Sequence, residues 1–233
     1  MHSWKYIFTF DDGRRAEFDV SLDPKTLDVE TVPPENPPDW TSLEYRRCAN
    51  CPLDPKTSPR CPIALNIAAV VEGFRDMVSA QSVQVTVVSG ERTVSRRTLL
   101  AEGVYSLLGI YMAAGGCPVM EKLKPLAATH LPFSTIEETV YRVMTMYISA
   151  QYFRAKKGLE PDWELKGLVG MYDAIRLVNK GFANRLRGAA EKDALINSLV
   201  DLDVFAMVML DMPASVDGLA PLFEPFTRVN NPS

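Results

Sequence analysis

Apolar and polar positions alternate with a period of two near the start of the chain. WKYIFTF (Trp4 to Phe10) and RAEFDV (Arg15 to Val20) are rich in aromatic and β-branched residues and flank Asp11-Asp12-Gly13. Such alternation predicts half-buried strands, and an aspartate-glycine pair between them predicts a tight hairpin turn. SLDPKTLDVETVPPENPPDW follows with five prolines. Proline removes backbone donors and fixes φ, so this stretch is expected to run as an irregular strap over the surface.

The period changes at Pro62. It occupies the place of a first helical residue, and Ile63, Ile67, Val70, Val71, Phe74 and Met77 follow at helical spacing, which leaves Cys61 as the N-cap. SVQVTVVSG (Ser82 to Gly90) returns to period two and ERTVSRR adds a second short strand, giving a sheet of three or four strands. Beyond Thr98 helices are expected over Leu99 to Ala114, Thr135 to Lys157, Asp162 to Arg187 and Glu191 to Met212. A proline-rich tail after Pro213 is expected to wrap the surface. Ser134-Thr135-Ile136-Glu137 reads as a capping box. Leu168, Tyr172, Ile175, Asn179, Phe182 and Leu186 form a helix seam in which Asn179 is the odd member. The ordinary reading of Asn179 is a hydrogen-bonded core amide, and the alternative is a ligand contact.

These elements predict one α+β domain over residues 1–233, a small antiparallel sheet and cysteine-rich segment packed on a predominantly helical body. Residues 1–61 hold the hairpin, strap and cysteine cluster; 62–212 form the helical body with a short β insertion near 82–95; 213–233 form the tail. At 233 residues and 47% hydrophobic content the chain buries a real core. Its 25 basic and 29 acidic residues give a net charge of −4, without the positive field that a phosphate backbone needs, so nucleic acid is not an expected partner. The longest uncharged run, Gly103 to Met120, is broken by four glycines and a proline and falls short of the roughly 20 apolar residues of a membrane span. The N-terminus lacks the pattern of a secretion signal. A cytoplasmic location off the membrane is therefore expected, where clustered cysteines more often hold metal or do redox chemistry than form disulfides.

The four cysteines, Cys48, Cys51, Cys61 and Cys117, are spaced C-x2-C-x9-C-x55-C. Four thiolates suit a tetrahedral Zn²⁺ and equally the corner irons of a [4Fe-4S] cluster. Cys48 and Cys51 make a knuckle, Cys61 sits at a helix start, and Gly115-Gly116 permits a sharp turn that aims Cys117 back at them. Proline after Cys51, Cys61 and Cys117 resembles cluster-binding loops, yet zinc is slightly favoured. Buried thiols, or a Cys48/Cys51 redox pair, form the metal-free reading. Arg46, Arg47 and Arg60 flank the ligands and are expected to offset thiolate charge.

His130 lies thirteen residues past Cys117 in KPLAATHLPF. It is a candidate metal ligand or functional neighbour, although a structural hydrogen-bonded histidine is the more ordinary outcome. Tyr141 and Arg142 are candidates for a pocket beside it, and Arg92, Arg96 and Arg97 for an anion site. The chain has no G-x-S-x-G elbow, P-loop, dinucleotide fingerprint or H-E-x-x-H, so no reaction is assigned.

The segments RCANCPL, RCPIALNIAAVVEGF, GVYSLLGIYMAAGGCP, KPLAATHLPF and ETVYR together resemble an uncharacterised bacterial family, a domain of unknown function. The resemblance covers nearly the whole chain and implies a bacterial protein in which Cys48, Cys51, Cys61, Cys117 and His130 form one neighbourhood. It implies no activity. The expectation is a metal-binding protein with a structural four-cysteine site and an unidentified protein or small-molecule partner. The alternatives are an iron-sulfur or thiol redox protein or enzyme, and a small-ligand or anion-binding module.

Overall fold

A computed structural model describes residues 2–32, 34–90, 92–211 and 217–228. The fold is α+β. Its antiparallel sheet has the order β3-β2-β1-β4-β5, built from β1 (His2–Phe10), β2 (Arg15–Leu22), β3 (Val29–Glu30), β4 (Ser82–Ser89) and β5 (Arg92–Leu99). The predicted hairpin forms β1 and β2, turning at Gly13 with φ +86°. The sheet has five strands because β3, two residues long, pairs with Ser21 and Leu22. Two residues carry no periodicity that a sequence reading detects.

Alternation decides which face of the sheet is buried. Trp4, Tyr6, Phe8 and Phe10 of β1 point inward with Val83, Val85 and Val87 of β4. Lys5 and Glu17 pair at 2.6 Å on the opposite, solvated face. Burial of each large inward side chain is worth about 1.5–3 kcal/mol.

The helices are α1 (Pro62–Asn66), α2 (Ala68–Phe74), α3 (Leu100–Ala114), α4 (Lys124–Ala128), α5 (Ile136–Lys156), α6 (Lys166–Leu186), α7 (Ala194–Val208) and α8 (Ala220–Thr227). On the inner face of the sheet, Phe74 of α2 meets Phe8 edge-on at 4.9 Å. Ser106 of α3 bonds the Tyr6 hydroxyl at 2.8 Å. α3 is buried on nearly every side, because α7 covers it from behind, where the Ser198 hydroxyl donates to the Ala101 carbonyl at 2.9 Å. α6 packs on α7 as the outer layer, with Tyr172 edge-on to Phe205.

Several boundaries differ from the sequence expectation for local reasons. The helix expected from Pro62 breaks at Ile67, which has φ −96° and ψ 5°. α6 begins at Lys166 because the Asp162 carboxylate stays outside and accepts from the Gly167 amide at 2.7 Å. Residues 124–128 form a helical turn that was not expected. The expected tail contains α8, while its residues 213–216 and 229–233 lie outside the described residues. The α5 capping box sits one residue later than expected. Thr135 accepts from the Glu138 amide at 3.1 Å and Glu138 accepts from the Thr135 amide at 2.8 Å, while the Ser134 hydroxyl bonds Thr139. Thr135→Ala should therefore lower the unfolding free energy by about 1 kcal/mol, and Ser134→Ala by less; urea denaturation of the two variants checks the order.

Candidate metal centre

Residues 38–61, the end of the expected proline-rich strap and the cysteine segment after it, cross the helical body as one irregular strap tied back on itself by a bridge between Ser42 and Arg60. Its path along α6 is set by one side chain. Arg185 is 1% exposed, and its guanidinium donates to the carbonyls of Trp40 at 2.5 Å, Ser42 at 2.6 Å and Leu43 at 3.3 Å. Moving on along the strap, Arg46 donates to the Asn184 carbonyl, the Cys48 thiol faces the Val178 carbonyl at 3.8 Å, and Asn50 donates to the Ala174 carbonyl at 2.9 Å. The strap thus descends α6 from its C-terminal end.

Gly181 makes the approach close enough. A β-carbon there would stand 2.6 Å from the Cys48 sulfur and 2.9 Å from its Cα. Cys51 closes the knuckle, its amide donating to the Cys48 carbonyl at 3.1 Å. Cys61 is the N-cap of α1 with Pro62 next, as expected. Cys117 is delivered by Gly116, whose φ of +84° permits the turn against Pro62.

These paths bring all four thiols to one small cavity walled by Leu53, Ile63, Val119, Val178 and Phe182. The four are free thiols. Among the described residues no three His, Cys, Asp or Glu side chains are grouped so that they could hold a metal ion; the four cysteines line the cavity. Its volume is about 20 Å³, and a single water needs roughly 10–15 Å³. A space of that volume holds one particle of about the size of a water molecule.

Burial pushes the Cys48 thiol up to about 11, helped by the nearby Cys61 and Cys117 sulfurs, while Arg185 pulls it down. Burial also raises Cys61 and Cys117, partly offset by amides of Ala64 and Ile63 at Cys61 and of Val119 and Met120 at Cys117. Backbone amides aimed at sulfur stabilise thiolates once formed. Arg185 has no acidic partner among the described residues, and its Nε is unbonded. The thiols are the groups able to supply its counter-charge.

The arginines expected to do this are engaged otherwise. Arg47 donates to the Cys51 and Leu53 carbonyls, and Arg60 to Pro38 and Thr41. Arg185 escaped the sequence reading although it lies three residues after Phe182, on the seam face. His130 is not at the thiols; its Nε2 meets the Tyr6 hydroxyl at 2.6 Å in a separate cavity. Arg142 lines that cavity, whereas Tyr141 is 40% exposed and stacks on Phe223. The candidate anion group is dispersed into ion pairs, Arg97 with Asp11 and Arg96 with Glu102.

Helix glycines test the docking. Gly170→Ala, with open space around its β-carbon, should stabilise by up to about 1 kcal/mol. Gly181→Ala on the same helix should instead destabilise by about 1–3 kcal/mol. Opposite signs in chemical denaturation are the expected result. Arg185→Met, which orphans buried carbonyls, should cost about 3 kcal/mol.

Compared with known proteins, the chain matches over residues 4–224 the family model described as a domain of unknown function (DUF6901). No curated protein and no solved structure matches it. No helix among the described residues is long and apolar enough to cross a membrane.

Proposed function

Since the chain belongs to the DUF6901 family, whose description carries no activity, we propose a function from the site itself: Cys48, Cys51, Cys61 and Cys117 hold one structural zinc ion that fastens the strap to the helical body. The observation that carries this reading is the meeting of four thiols, from three separate stretches of chain, on one cavity of single-ion size. Tetrahedral all-sulfur coordination is the usual arrangement of structural zinc. The two excess negative charges of such a centre would be offset by Arg185 and by the amides at Cys61 and Cys117.

The role is mechanical. A bound ion would join the strap, the start of α1 and the turn after α3, which local hydrogen bonds connect only sparsely. Binding energy would then be folding energy, as in zinc-finger peptides, where it amounts to about 10–16 kcal/mol.

Anaerobically purified protein should be colourless and contain one zinc per chain. Cys48→Ser should lose the metal and unfold at lower temperature. Protein free of metal under those conditions would end the proposal, and a brown preparation that bleaches on reduction would replace zinc with an iron-sulfur cluster. The pH dependence has a definite sign. Cys48, Cys61 and Cys117 are raised by burial, so they enter binding protonated at neutral pH. Zinc uptake by stripped protein should therefore release protons, and affinity should fall as pH is lowered from 8 to 6 by roughly tenfold or more per unit. A chelator competition series measures this.

A further inference from the structure

The apolar cavity around His130 holds about 120 Å³. Asn179 lines it, 2% exposed and with its Oδ1 unbonded; the expected hydrogen-bonded core amide is not what the seam contains. Two of its wall residues, Leu126 and Arg142, are shared with a second and much larger space, a groove of about 960 Å³ between α4, α5, the start of α6 and the loop before β3. Small-molecule sites run from roughly 300 to 1,000 Å³. Arg142, Met146, Ser149 and Phe153 line the groove at spacings of four, three and four, which places them on one face of α5. At 1.5 Å per residue that face is roughly 16 Å long, so the groove is elongated.

Its wall includes Leu27, Leu126, Met146, Phe153 and Met171. Two of these are unusual. Phe153 is 63% exposed, so a large ring stands in water beside the groove. Leu27 is held at φ +58°, a left-handed conformation that a residue with a β-carbon rarely adopts. Backbone strain of this kind clusters at ligand sites.

The charged groups of the groove specify the occupant. Its two acids are engaged: Asp162 accepts from the Tyr147 hydroxyl at 2.9 Å and the Gly167 amide at 2.7 Å, and Glu121 lies 3.8 Å from Lys124, which also pairs with Asp28 at 2.8 Å. Lys122, Arg142 and Arg154 line the same groove and make no ion pair among the described residues. Arg142 spends one nitrogen, Nη2, on the Leu126 and Thr129 carbonyls at 3.0 and 2.7 Å, which leaves its other edge free to donate. Burial lowers its pKa, a sign that its charge lacks the solvation an anion would replace. Gln151 is 4% exposed, and its Oε1 accepts from the Asp162 amide at 3.0 Å, so Nε2 is the end left on the groove wall. The cationic and amide groups left over are thus all donors. They favour an acceptor that carries negative charge, and a planar carboxylate matches the free edge of one guanidinium. An elongated wall with two flexible methionines suits an alkyl chain. We infer that the groove binds a long-chain carboxylate, its head on Arg142 and Lys122 and its chain laid along α5 over Met146 and Phe153. This does not rest on the zinc proposal.

The test uses full-length protein labelled at methionine methyl groups, because Met146 and Met171 line the groove while Met112 and Met120 line the inner cavity. Sodium octanoate, kept below its micellar concentration, is the probe; octanol supplies the chain without the charge and acetate the charge without the chain. Octanoate should shift Met146 and Met171 saturably and bind about tenfold or more tightly than octanol, and acetate should give no saturable shift over the same range. Arg142→Met should remove the preference for octanoate. Because that variant also frees two carbonyls, Lys122→Met, at an exposed position, provides the second measurement and should weaken octanoate several-fold while leaving octanol unchanged. Phe153→Ser should weaken octanoate and octanol alike. Absence of saturable shifts with octanoate would overturn the inference, as would shifts largest at Met112 and Met120, equal affinity for octanol, or acetate binding as tight as octanoate. Octanoate affinity unchanged in Lys122→Met would overturn the placement of the head, and unchanged in Phe153→Ser that of the chain.

Discussion

A single buried guanidinium fixes the course of the irregular strap that crosses the helical body. Arg185 gathers three strap carbonyls at the C-terminal end of α6 and lies over the Tyr45 ring at 5.9 Å. Burying an ion costs several kcal/mol even after relaxation, and carbonyl dipoles with an aromatic face offset part of that cost. The offset is incomplete without a full negative charge. The strap that Arg185 holds is the same strap that delivers Cys48 and Cys51, so the cation and its prospective counter-ions arrive together.

Close approach is the second requirement. α6 carries glycine where Cys48 crosses it, and a β-carbon there would collide with the backbone of the knuckle. On the other side, Gly116 turns the end of α3 against Pro62 so that Cys117 and Cys61 stand together. The sheet contributes indirectly. By burying Phe8 and Val85 beneath α3, it fixes the helix whose end aims Cys117.

Elements with a repeating pattern were legible in the sequence. The β1–β2 hairpin, the long helices, the seam of α6, Cys61 as N-cap and the glycine turn before Cys117 each follow from periodicity or from a residue with one conformational meaning. What escaped depends on tertiary neighbours. The two residues of β3 are a strand only because Ser21 and Leu22 are in register beside them. Gly181 looks like an ordinary weak point of a helix until Cys48 is placed on it. Arg185 reads as a surface charge at a helix end, and Asn179 as a bonded core amide, because sequence spacing shows which face a residue occupies but not who meets it there.

The two cavities share a wall, and the chain alternates between them. Val178 lines the thiol cavity and Asn179 the larger one; Val119 and Met120 divide in the same way. A displacement of α6 that moves Val178 also carries Asn179, because consecutive residues on a helix do not move independently. Close-packed interiors transmit such shifts rather than absorb them. If the thiols are drawn together on a metal ion, the positions of Val178 and Val119 are fixed, and with them the orientation of Asn179 and Met120 toward the apolar cavity. A centre that is structural in its chemistry would in this arrangement also set the shape of the apolar cavity behind it.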